Sequence, residues 1–583
     1  MVQMTYLFNN PAQFTGELVE GFAAAHRNTI QRVNGGVIRR YKAKPGQAVV
    51  VIGGGSGHYP AFGGFVGQGL AHGAALGNVF AAPSAQQIYQ VAQAVDAGGG
   101  ILFCYANYAG DVLNFEQAQA QLRAQGIDVR SVVVTDDIAS AAVAEQHKRR
   151  GIAGTLPVFK AAAVAADAGK PLDEVARIAT AAKDRVRSLG VAFSGCTLPG
   201  ANKPLFEVAS GKMEVGMGIH GEPGLYRINA PSADGLAEML VEKLLAEIPP
   251  PIDSFSGACV GVILNGLGAV KYEELFVIYR KIDQLLTKHG LIIIEPVVDE
   301  LITSFDMAGV SLTLFWLNDE LEQTWVAAAD TPAFHRGNIA QEAQSEENIA
   351  VAVQSVHDKQ PLKTGSADSR AAAKVVLIAL EAARDAIESQ QEALGRLDAI
   401  AGDGDHGIGM QRGLTAAVEA ARAALDAQAG AGTMLTVAGD AWSDRAGGTS
   451  GMLWGVILRN LGNALGDEAK PDAVMLATGV TTALEAVVSL GKAQLNDKTL
   501  VDVLYPFSAV LTKGATQGLS TTEAWTAAAE IAAQSAEATR NLTPKIGRAR
   551  PHAEKSIGTP DPGAISMALI AGATGKIIRK HCL

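Results

Sequence analysis

The stretch AVVVIGGGSGHYP (residues 48–60) begins with five apolar residues and then changes abruptly to glycine. An apolar run of this length, rich in β-branched residues, predicts a buried strand. A strand that ends in a glycine turn is how α/β proteins bring backbone N–H groups up to a ligand. No Gly-Lys-Ser/Thr follows, which excludes a Walker A loop, and the spacing does not match a dinucleotide fingerprint. We therefore predict a strand followed by a turn that presents His58.

Similar runs extend this pattern through the first half of the chain. Helical patterns lie between them, for example at 171–186 and 272–288. Alternating strands and helices predict an α/β architecture. The other strand-like runs lie at 101–105, 131–134, 260–264, 291–294 and 310–315.

A second histidine, His220, lies in GIHGEPG (218–224), directly after the strand-like segment 212–217. Glycine and proline allow a sharp turn that leaves the imidazole uncrowded. Such a histidine can act as a base, a nucleophile or a ligand. The alternative is a histidine in an ordinary glycine-rich turn.

A carboxylate follows a third strand. Asp111 ends the segment ANYAGD, just after the apolar run 101–105. Ligands of open α/β sheets lie beyond the carboxyl ends of the strands. Two histidines and an aspartate at three such ends predict an acid/base site. A solvated turn aspartate is the alternative for Asp111.

Composition limits the classes of function. The chain has 583 residues, which predicts two to four domains, and 48% are hydrophobic. The formal net charge of −11 argues against nucleic-acid binding, which needs a basic face. The N-terminus lacks a basic segment followed by an apolar core, and no stretch convincingly predicts a membrane span, so we expect a cytoplasmic protein. Neither a zinc site nor a disulfide framework is indicated by the scattered cysteines Cys104, Cys196, Cys259 and Cys582.

The composition and hydrophobic periodicity of the sequence change near residue 371. Residues 336–370 are polar and have no sustained period, which predicts a linker. Long Ala/Leu/Val patterns at helical spacing follow, as in 371–397 and 415–427. They predict an all-α domain, most simply a bundle.

Three aspartates, Asp398, Asp403 and Asp405, fall close together in LDAIAGDGDHG (397–407). Carboxylate oxygens suit Mg²⁺ when phosphate oxygens complete its shell, and three converging anions favour a cation between them. The EF-hand pattern is excluded because it needs a glutamate at its twelfth position, which, counted from Asp398, is Gly409. A solvated acidic loop is the alternative.

Three further turns are typical of a nucleotide site, although each is weak evidence alone. GGTSG (447–451) opens a helix near Met452, where N–H groups and hydroxyls suit phosphate. GRAR (547–550) offers guanidinium groups, and DPG (561–563) starts the last helix. Together with the aspartates they predict Mg-nucleotide binding on a helical scaffold.

With these motifs the chain resembles the dihydroxyacetone kinase family in its single-chain ATP-dependent form. The resemblance covers nearly the whole chain and rests on GGGSGH, NYxGD, GIHGE, GDGDHG and DPGA. It implies a ketose-binding α/β kinase domain at 1–335, with two subdomains that meet near 185–190. After the linker, it implies an all-α helical barrel at 371–583 that binds Mg-ATP.

The resemblance also implies roles for the ketose-site residues. His220 would bind the ketone covalently as a hemiaminal, Asp111 would accept the proton of the attacking terminal hydroxyl, and His58 would hydrogen-bond the substrate and assist. The residues that would line the pocket are Gly55, Ser56 and Gly57.

In the second domain, Asp398, Asp403 and Asp405 match the family's Mg²⁺ ligands. Because the two sites lie on different domains, domain closure or pairing across a homodimer is implied. The implied nucleotide contacts are His406, Gly407, Ile408, Gly409, Thr449, Ser450, Gly491, Thr499, Leu500, Arg548, Asp561, Pro562 and Gly563.

Four departures from the family pattern are visible, and the first three cluster near the ketose site. Tyr59 replaces the usual Glu, Ala106 a common Lys, Ala109 a common Thr, and RPH (550–552) the usual Ser-Tyr stretch. Loss of the lysine removes a cation for product phosphate, and the two alanines leave room. We therefore expect a longer ketose, such as the four-carbon erythrulose, in place of dihydroxyacetone.

Other functions remain open at this stage. A dihydroxyacetone or glyceraldehyde kinase with flavin-nucleotide cyclase side activity is one alternative. An enzyme fed by a phosphoprotein is another, although the fusion of both domains argues for ATP. A non-catalytic ketose sensor is disfavoured, because sensing needs no Mg-nucleotide site.

Overall fold

The computed structural model describes residues 6–201, 203–222, 224–250, 252, 254–339, 362–547 and 549–581. The chain divides into two compact units, Met1–Val353 and Gln354–Leu583. This boundary and most of the predicted linker lie in 340–361, outside the described residues. The predicted domain limits therefore stay a prediction.

Among the described residues the strands lie in the first unit: β1 Ile30–Val33, β2 Gly36–Arg39, β3 Val49–Ser56, β4 Gly73–Val79, β5 Ile101–Ala106, β6 Val129–Val134, β7 Val186–Ala192, β8 Lys212–Val215, β9 Tyr226–Asn229, β10 Cys259–Gly266, β11 Ile292–Ile293, β12 Val297–Asp299, β13 Gly309–Trp316, β14 Ala329–Asp330 and β15 His335–Arg336. Its helices are α1 Phe14–Ala25, α2 Ala85–Val95, α3 Ala109–Ala124, α4 Thr155–Asp167, α5 Leu172–Asp184, α6 Ala233–Leu245, α7 Tyr272–Lys288 and α8 Asp319–Val326.

The first sheet has the strand order β1-β2-β4-β3-β5-β6. Strands β4, β3, β5 and β6 are parallel, and β1 and β2 form an antiparallel edge. Along β3, Val50 and Ile52 pack into a core shared with α4 and α5, whereas Val49 and Val51 pack into one shared with α2 and α3. A strand covered on both faces needs an unbroken apolar run, which explains AVVVI and confirms the α/β class.

The glycines after this run do not form the predicted turn. Strand β3 continues through Gly53, Gly54 and Gly55 to Ser56, and the backbone first takes a positive φ (+93°) at Gly57. A Cβ at Gly54 would overlap the ring of Phe62, and one at Gly55 would lie 2.9 Å from the backbone of Phe80. These glycines therefore serve close packing against the strand end, and the turn is confined to the residues just before His58.

The second sheet begins at β7 and has the order β11-β10-β13-β7-β8-β9, with β12 also paired to β10. From β10 through β13, β7 and β8 to β9 the pairing is antiparallel, so this sheet is mixed and the first is mostly parallel. Helices α6 and α7 share its core. The strand predicted at 291–294 is shorter than expected, covering Ile292–Ile293.

The second unit is helical throughout the part that the structure describes. Eight long helices form a closed ring in the order α9-α11-α12-α13-α14-α15-α16-α17, and α17 packs against α9. Apolar side chains from around the ring enclose a cavity of about 140 Å³. This closure confirms the predicted barrel. Its helices are α9 Ala367–Glu388, α10 Gln391–Asp398, α11 His406–Asp426, α12 Ala431–Ala446, α13 Gly448–Leu465, α14 Ala473–Gly491, α15 Val501–Thr516, α16 Thr521–Ala538 and α17 Pro562–His581.

Two details of this unit differ from the sequence-based expectation. The pattern at 371–397 is two helices, because α9 ends at Glu388 and the short α10 carries Asp398 at its end. Among the described residues, one helix, α14, is long and apolar enough to cross a membrane by length and composition. This helix packs between α13 and α15 in the ring, and a helix of a protein core passes the same test of length and composition.

Candidate active site

Two histidines from different sheets meet in the first unit. His58 follows β3 of the first sheet and His220 follows β8 of the second, and their ring centroids lie 4.8 Å apart at 89°. The exposed fractions are 0% for His58 and 2% for His220. The Nδ1 atom of His58 lies 2.8 Å from the carbonyl oxygen of Thr303, which fixes the orientation of that ring. The arrangement is a buried pair of imidazoles, not two exposed loop histidines.

Aromatic rings surround this pair. Phe80 stacks on His58 at 5.1 Å and meets His220 edge-on at 5.9 Å, and Tyr108 meets His220 edge-on at 4.2 Å. Phe80 also has a φ of +59°, a strained conformation for a residue with a side chain. Sequence reasoning missed Phe80, because nothing in its local pattern signals strain. Tyr108 was visible only as part of the NYxGD motif.

Asp111 lies in the first turn of α3, whose N-cap residue is Tyr108. Its exposed fraction is 4%, which excludes the solvated-turn alternative. The N-terminal end of a helix stabilises a nearby carboxylate. The ring of Tyr108, the residue before α3, contacts His220, so α3 begins beside the imidazole pair. The structure thus brings His58 and His220 together, and it buries Asp111 in the helix that begins beside them.

The predicted lining residues fall at the end of β3. Gly55 packs against the backbone of Phe80, and Gly57 against its ring, 3.0 Å from where a Cβ would lie. The Ser56 hydroxyl donates to the carbonyl oxygen of Gly77 at 2.7 Å. In this arrangement the side chain of Ser56 supports the strand end, and the backbone of this segment borders the histidines.

A buried network of charges holds the loop of His220. The backbone N–H of His220 donates to Glu222 at 2.8 Å, and Glu222 in turn accepts from Arg150 at 3.2 Å. Arg150 also donates to Asp137 at 3.0 Å. Sequence reasoning missed Arg150 and Asp137, because they lie about 70 residues or more from the histidine with no motif around them.

The departures from the family pattern occupy different places. Tyr59 is half exposed and packs edge-on against Phe22 of α1, so it contributes to the packing of that helix. Ala106 is buried at the end of β5, where a Cβ on Gly151 would come within 2.8 Å of its own. Ala109 is exposed at the start of α3, two residues before Asp111. Ala106 and Ala109 thus flank the segment that carries Tyr108.

In the second unit the three aspartates converge. Ligand oxygens of Asp398, Asp403 and Asp405 all lie within 4.8 Å of one another. Gly404, with a φ of +77°, allows the tight turn between the last two. Burial, together with the charge of Asp398, raises the pKa of Asp405 to about 7. Carboxylates that resist ionisation in this way are stabilised by a divalent cation, so the residues fit Mg²⁺.

His406 connects three predicted nucleotide-binding turns. Its Nε2 lies 2.9 Å from Ser566 Oγ on α17, and its Nδ1 lies 3.4 Å from Ser450 Oγ on α13. Asp561 caps α17 by accepting from Ala564 N at 2.7 Å. Burial raises the pKa of Asp561 to about 7, and nearby Asp398 adds to this. The metal cluster and the first turn of α17 are therefore neighbours.

The remaining nucleotide candidates that the structure describes lie near the first turns of α13, α15 and α17. Leu500 lies beside Gly563, and Asp502 holds the backbone N–H of Thr499 at 2.8 Å. Gly491 ends α14, near Leu453 in the first turns of α13. Arg548 lies outside the described residues. The first turns of α11 and α13 contain the other candidates, His406, Gly407, Ile408, Gly409, Thr449 and Ser450.

Comparison with known proteins identifies the family. A model of the Dak1 domain matches residues 20–333, and one of the DAK2 domain matches residues 400–575. The chain belongs to the dihydroxyacetone kinase family. This kinase is 56% identical to the L-erythrulose kinase of Pectobacterium atrosepticum, over 99% of this chain and 97% of that one. It is 49% identical to the D-erythrulose kinase of Mycolicibacterium smegmatis, over 97% of both chains.

A solved structure agrees with both units of the kinase. The dihydroxyacetone kinase of C. freundii in complex with AMP-PNP and Mg²⁺ is 29% identical, with a TM-score of 0.52, over 98% of this chain and 99% of that one. The family and these relatives establish an ATP-dependent ketose kinase. The role of each site residue stays a prediction.

Proposed function

We propose that this kinase phosphorylates a terminal hydroxyl of erythrulose. The two relatives described above are named for L- and D-erythrulose, and both align along nearly the whole chain. The alanines at 106 and 109 flank the ketose-site segment where the family pattern has longer side chains. Both observations support a four-carbon substrate over dihydroxyacetone, and neither favours one enantiomer.

The proposed mechanism begins with His220. An imidazole nitrogen attacks the ketone carbon, and the C–N bond forms as the C=O π bond breaks. The ketone oxygen becomes a hydroxyl by gaining one proton and the imidazole ring loses one, so the hemiaminal is neutral. The observation that carries this step is the buried imidazole pair, 4.8 Å apart and enclosed by Phe80 and Tyr108. The attack needs the lone pair that a neutral imidazole nitrogen carries. Polyols such as glycerol lack the carbonyl and cannot be held in this way.

Asp111 would act as the base of phosphoryl transfer. The terminal hydroxyl loses its proton to this carboxylate as its oxygen bonds to the γ-phosphorus, and the bond from phosphorus to the β,γ-bridging oxygen breaks. A carboxylate in the first turn of a helix is held in place by that helix. His58, oriented by Thr303, would hydrogen-bond the substrate.

Asp398, Asp403 and Asp405 would hold Mg²⁺, and the turns around His406, Ser450 and Gly563 would bind ATP. Bound Mg²⁺ supplies neutralisation of charge on the phosphate oxygens. The chain itself contributes N–H groups at the first turns of α11, α13 and α17, which face the end of the ring where the aspartates lie. We also propose, on the family resemblance alone, a cytoplasmic homodimer.

The test is ADP release from Mg-ATP with dihydroxyacetone, D- and L-erythrulose, glyceraldehyde and glycerol. We expect the highest kcat/KM with one erythrulose and none with glycerol. Equal or faster turnover of dihydroxyacetone would reject the four-carbon preference. Absence of ADP release with every compound would instead favour a phosphoprotein donor or a sensor.

A further inference from the structure

The loop that carries His220 is held at both of its ends by one side chain. Arg150 donates from Nη2 to the carbonyl oxygen of Gly216 at 2.7 Å, where the loop begins. It donates from Nη1 to the carboxylate of Glu222 at 3.2 Å, where the loop ends. The other carboxylate oxygen of Glu222 accepts the backbone N–H of His220. The guanidinium thus spans the segment 216–222.

Arg150 itself is anchored in the chain segment that follows β6, the last strand of the first sheet. Asp137, three residues after β6, accepts from Nε of Arg150 at 3.0 Å and pairs with its Nη2 at 2.8 Å. The backbone N–H of Arg150 donates to the hydroxyl of Ser140 at 2.9 Å. The loop of His220, by contrast, leaves β8 of the second sheet. Arg150 therefore ties the His220 loop to the segment that follows β6, whose backbone also pairs with Ser188 of β7.

The network is costly to build, which argues that its geometry matters. Asp137, Arg150 and Glu222 are all buried. Burial acts against the charge of Arg150, but Asp137 and Glu222 outweigh it and raise its pKa. A Cβ at Gly218 would overlap the Glu222 carboxylate, so glycine is required there for the carboxylate to fold back onto the loop. A buried ionic network contributes little net stability, and its effect is instead to hold the surrounding groups in a single conformation.

The reaction needs such an arrangement. In the proposed function, the nucleophile His220 belongs to the second sheet, and the base Asp111 and His58 belong to the first. All three must reach one four-carbon substrate, so the spacing between the sheets sets the spacing of the catalytic groups.

We propose that Arg150 is a positioning residue, which with Asp137 and Glu222 fixes the His220 loop against the segment that follows β6 and so sets the position of His220 relative to His58 and Asp111. This inference rests on the proposed role of His220. Arg150 takes no part in bond making, and its contribution is geometric.

Arg150→Lys tests the proposal. Lysine keeps the charge but has a single nitrogen on a flexible stem, so it cannot reach Asp137, Glu222 and Gly216 together. We expect ketose kcat/KM to fall on the order of 100-fold, as for a displacement near 1 Å, with a raised KM for the ketose and an unchanged KM for Mg-ATP. Intact mass spectrometry should show a lower occupancy of the covalent ketose adduct.

The neighbouring residue supplies a matched control. Arg149 is equally buried and forms a bidentate ion pair with Glu247, away from the His220 loop. Arg149→Lys should lower the melting temperature without raising the ketose KM or lowering adduct occupancy. If both lysine variants lose activity to the same extent at unchanged ketose KM, Arg150 is merely structural and the proposal is overturned.

Glu222→Gln provides a second, isosteric variant in case Arg150→Lys does not fold. The amide has one acceptor oxygen, so it cannot satisfy both Arg150 and the His220 N–H, and the same raised ketose KM is expected. His220→Ala separates the two hypotheses. If it retains the adduct, the proposed function of His220 fails. If it loses the adduct and both network variants keep normal ketose kinetics, the positioning role alone fails.

Discussion

The two sites of this kinase are built in opposite ways. In the first unit, His58 and His220 follow strands of two different sheets and Asp111 lies in a helix, and buried groups hold the two histidines in place. In the second unit, the proposed metal ligands lie within eight residues of one another, on a glycine turn between two helices. The ketose site therefore depends on tertiary packing, and the metal site depends mainly on local chain geometry. Substitutions should separate the two cleanly.

The largest effect is expected at the nucleophile. His220→Ala should abolish the covalent ketose adduct and reduce ketose kcat/KM by about a thousandfold, because positioning and covalent capture are lost together. Mg-ATP affinity should be unchanged, since the second unit carries that site. Intact mass spectrometry and nucleotide titration measure the two properties, and a persisting adduct would refute the role of His220.

Asp403→Asn is the complementary change. The cluster would lose one of three charges that favour the cation, so Mg-ATP affinity should fall about 10- to 100-fold. The ketose adduct should form as in the unchanged protein. Calorimetric titration of Mg-ATP gives the answer, with Asp440→Asn, another carboxylate of the same unit outside the cluster, as the control. Unchanged affinity would remove Asp403 from the metal site.

A pH dependence should also mark the second unit. Burial and Asp398 raise the pKa of Asp405 from 3.8 to about 7, so below pH 7 a proton competes with the cation. In the absence of ligand, ionising this group costs stability as pH rises from about 4 through 7, and a bound cation restores it. The rise in melting temperature caused by Mg-ATP should therefore be larger at pH 8 than at pH 6. Asp405→Asn should remove the difference, and an equal rise at both pH values would contradict the assignment.

The smallest effect is expected from Ala109→Thr, which restores the residue common in the family. The position is exposed at the start of α3, so folding should be unaffected. Threonine adds two heavy atoms, so the ratio of kcat/KM for dihydroxyacetone to kcat/KM for erythrulose should rise by a few-fold. This effect is smaller than the roughly tenfold or more that one methylene gives in an enclosed pocket. An unchanged ratio would show that residue 109 does not shape the ketose site.

The contrast between the sites also explains what sequence could predict. The residues of the metal site share one motif, so their spacing revealed the cluster without a fold. The sequence predicts a turn at the glycines 53–55, but the structure has a strand there, because a sequence does not show which rings approach a strand. Phe80 was missed because strain has no local signature, and Arg150 because its partners Asp137 and Glu222 become neighbours only when two sheets pack.

The closed ring of the second unit has a consequence for how this unit can be re-engineered. The first helix of the ring, α9, packs against the last, α17, so the two helices that begin and end the ring are adjacent. A short peptide could join them, and new ends could be opened in the exposed turn at 517–519, between α15 and α16. The order of helices along the chain would change while every helix kept its neighbours. The proposed nucleotide-binding end of the ring should therefore be retained, because it depends on which helices are neighbours and not on their order along the chain.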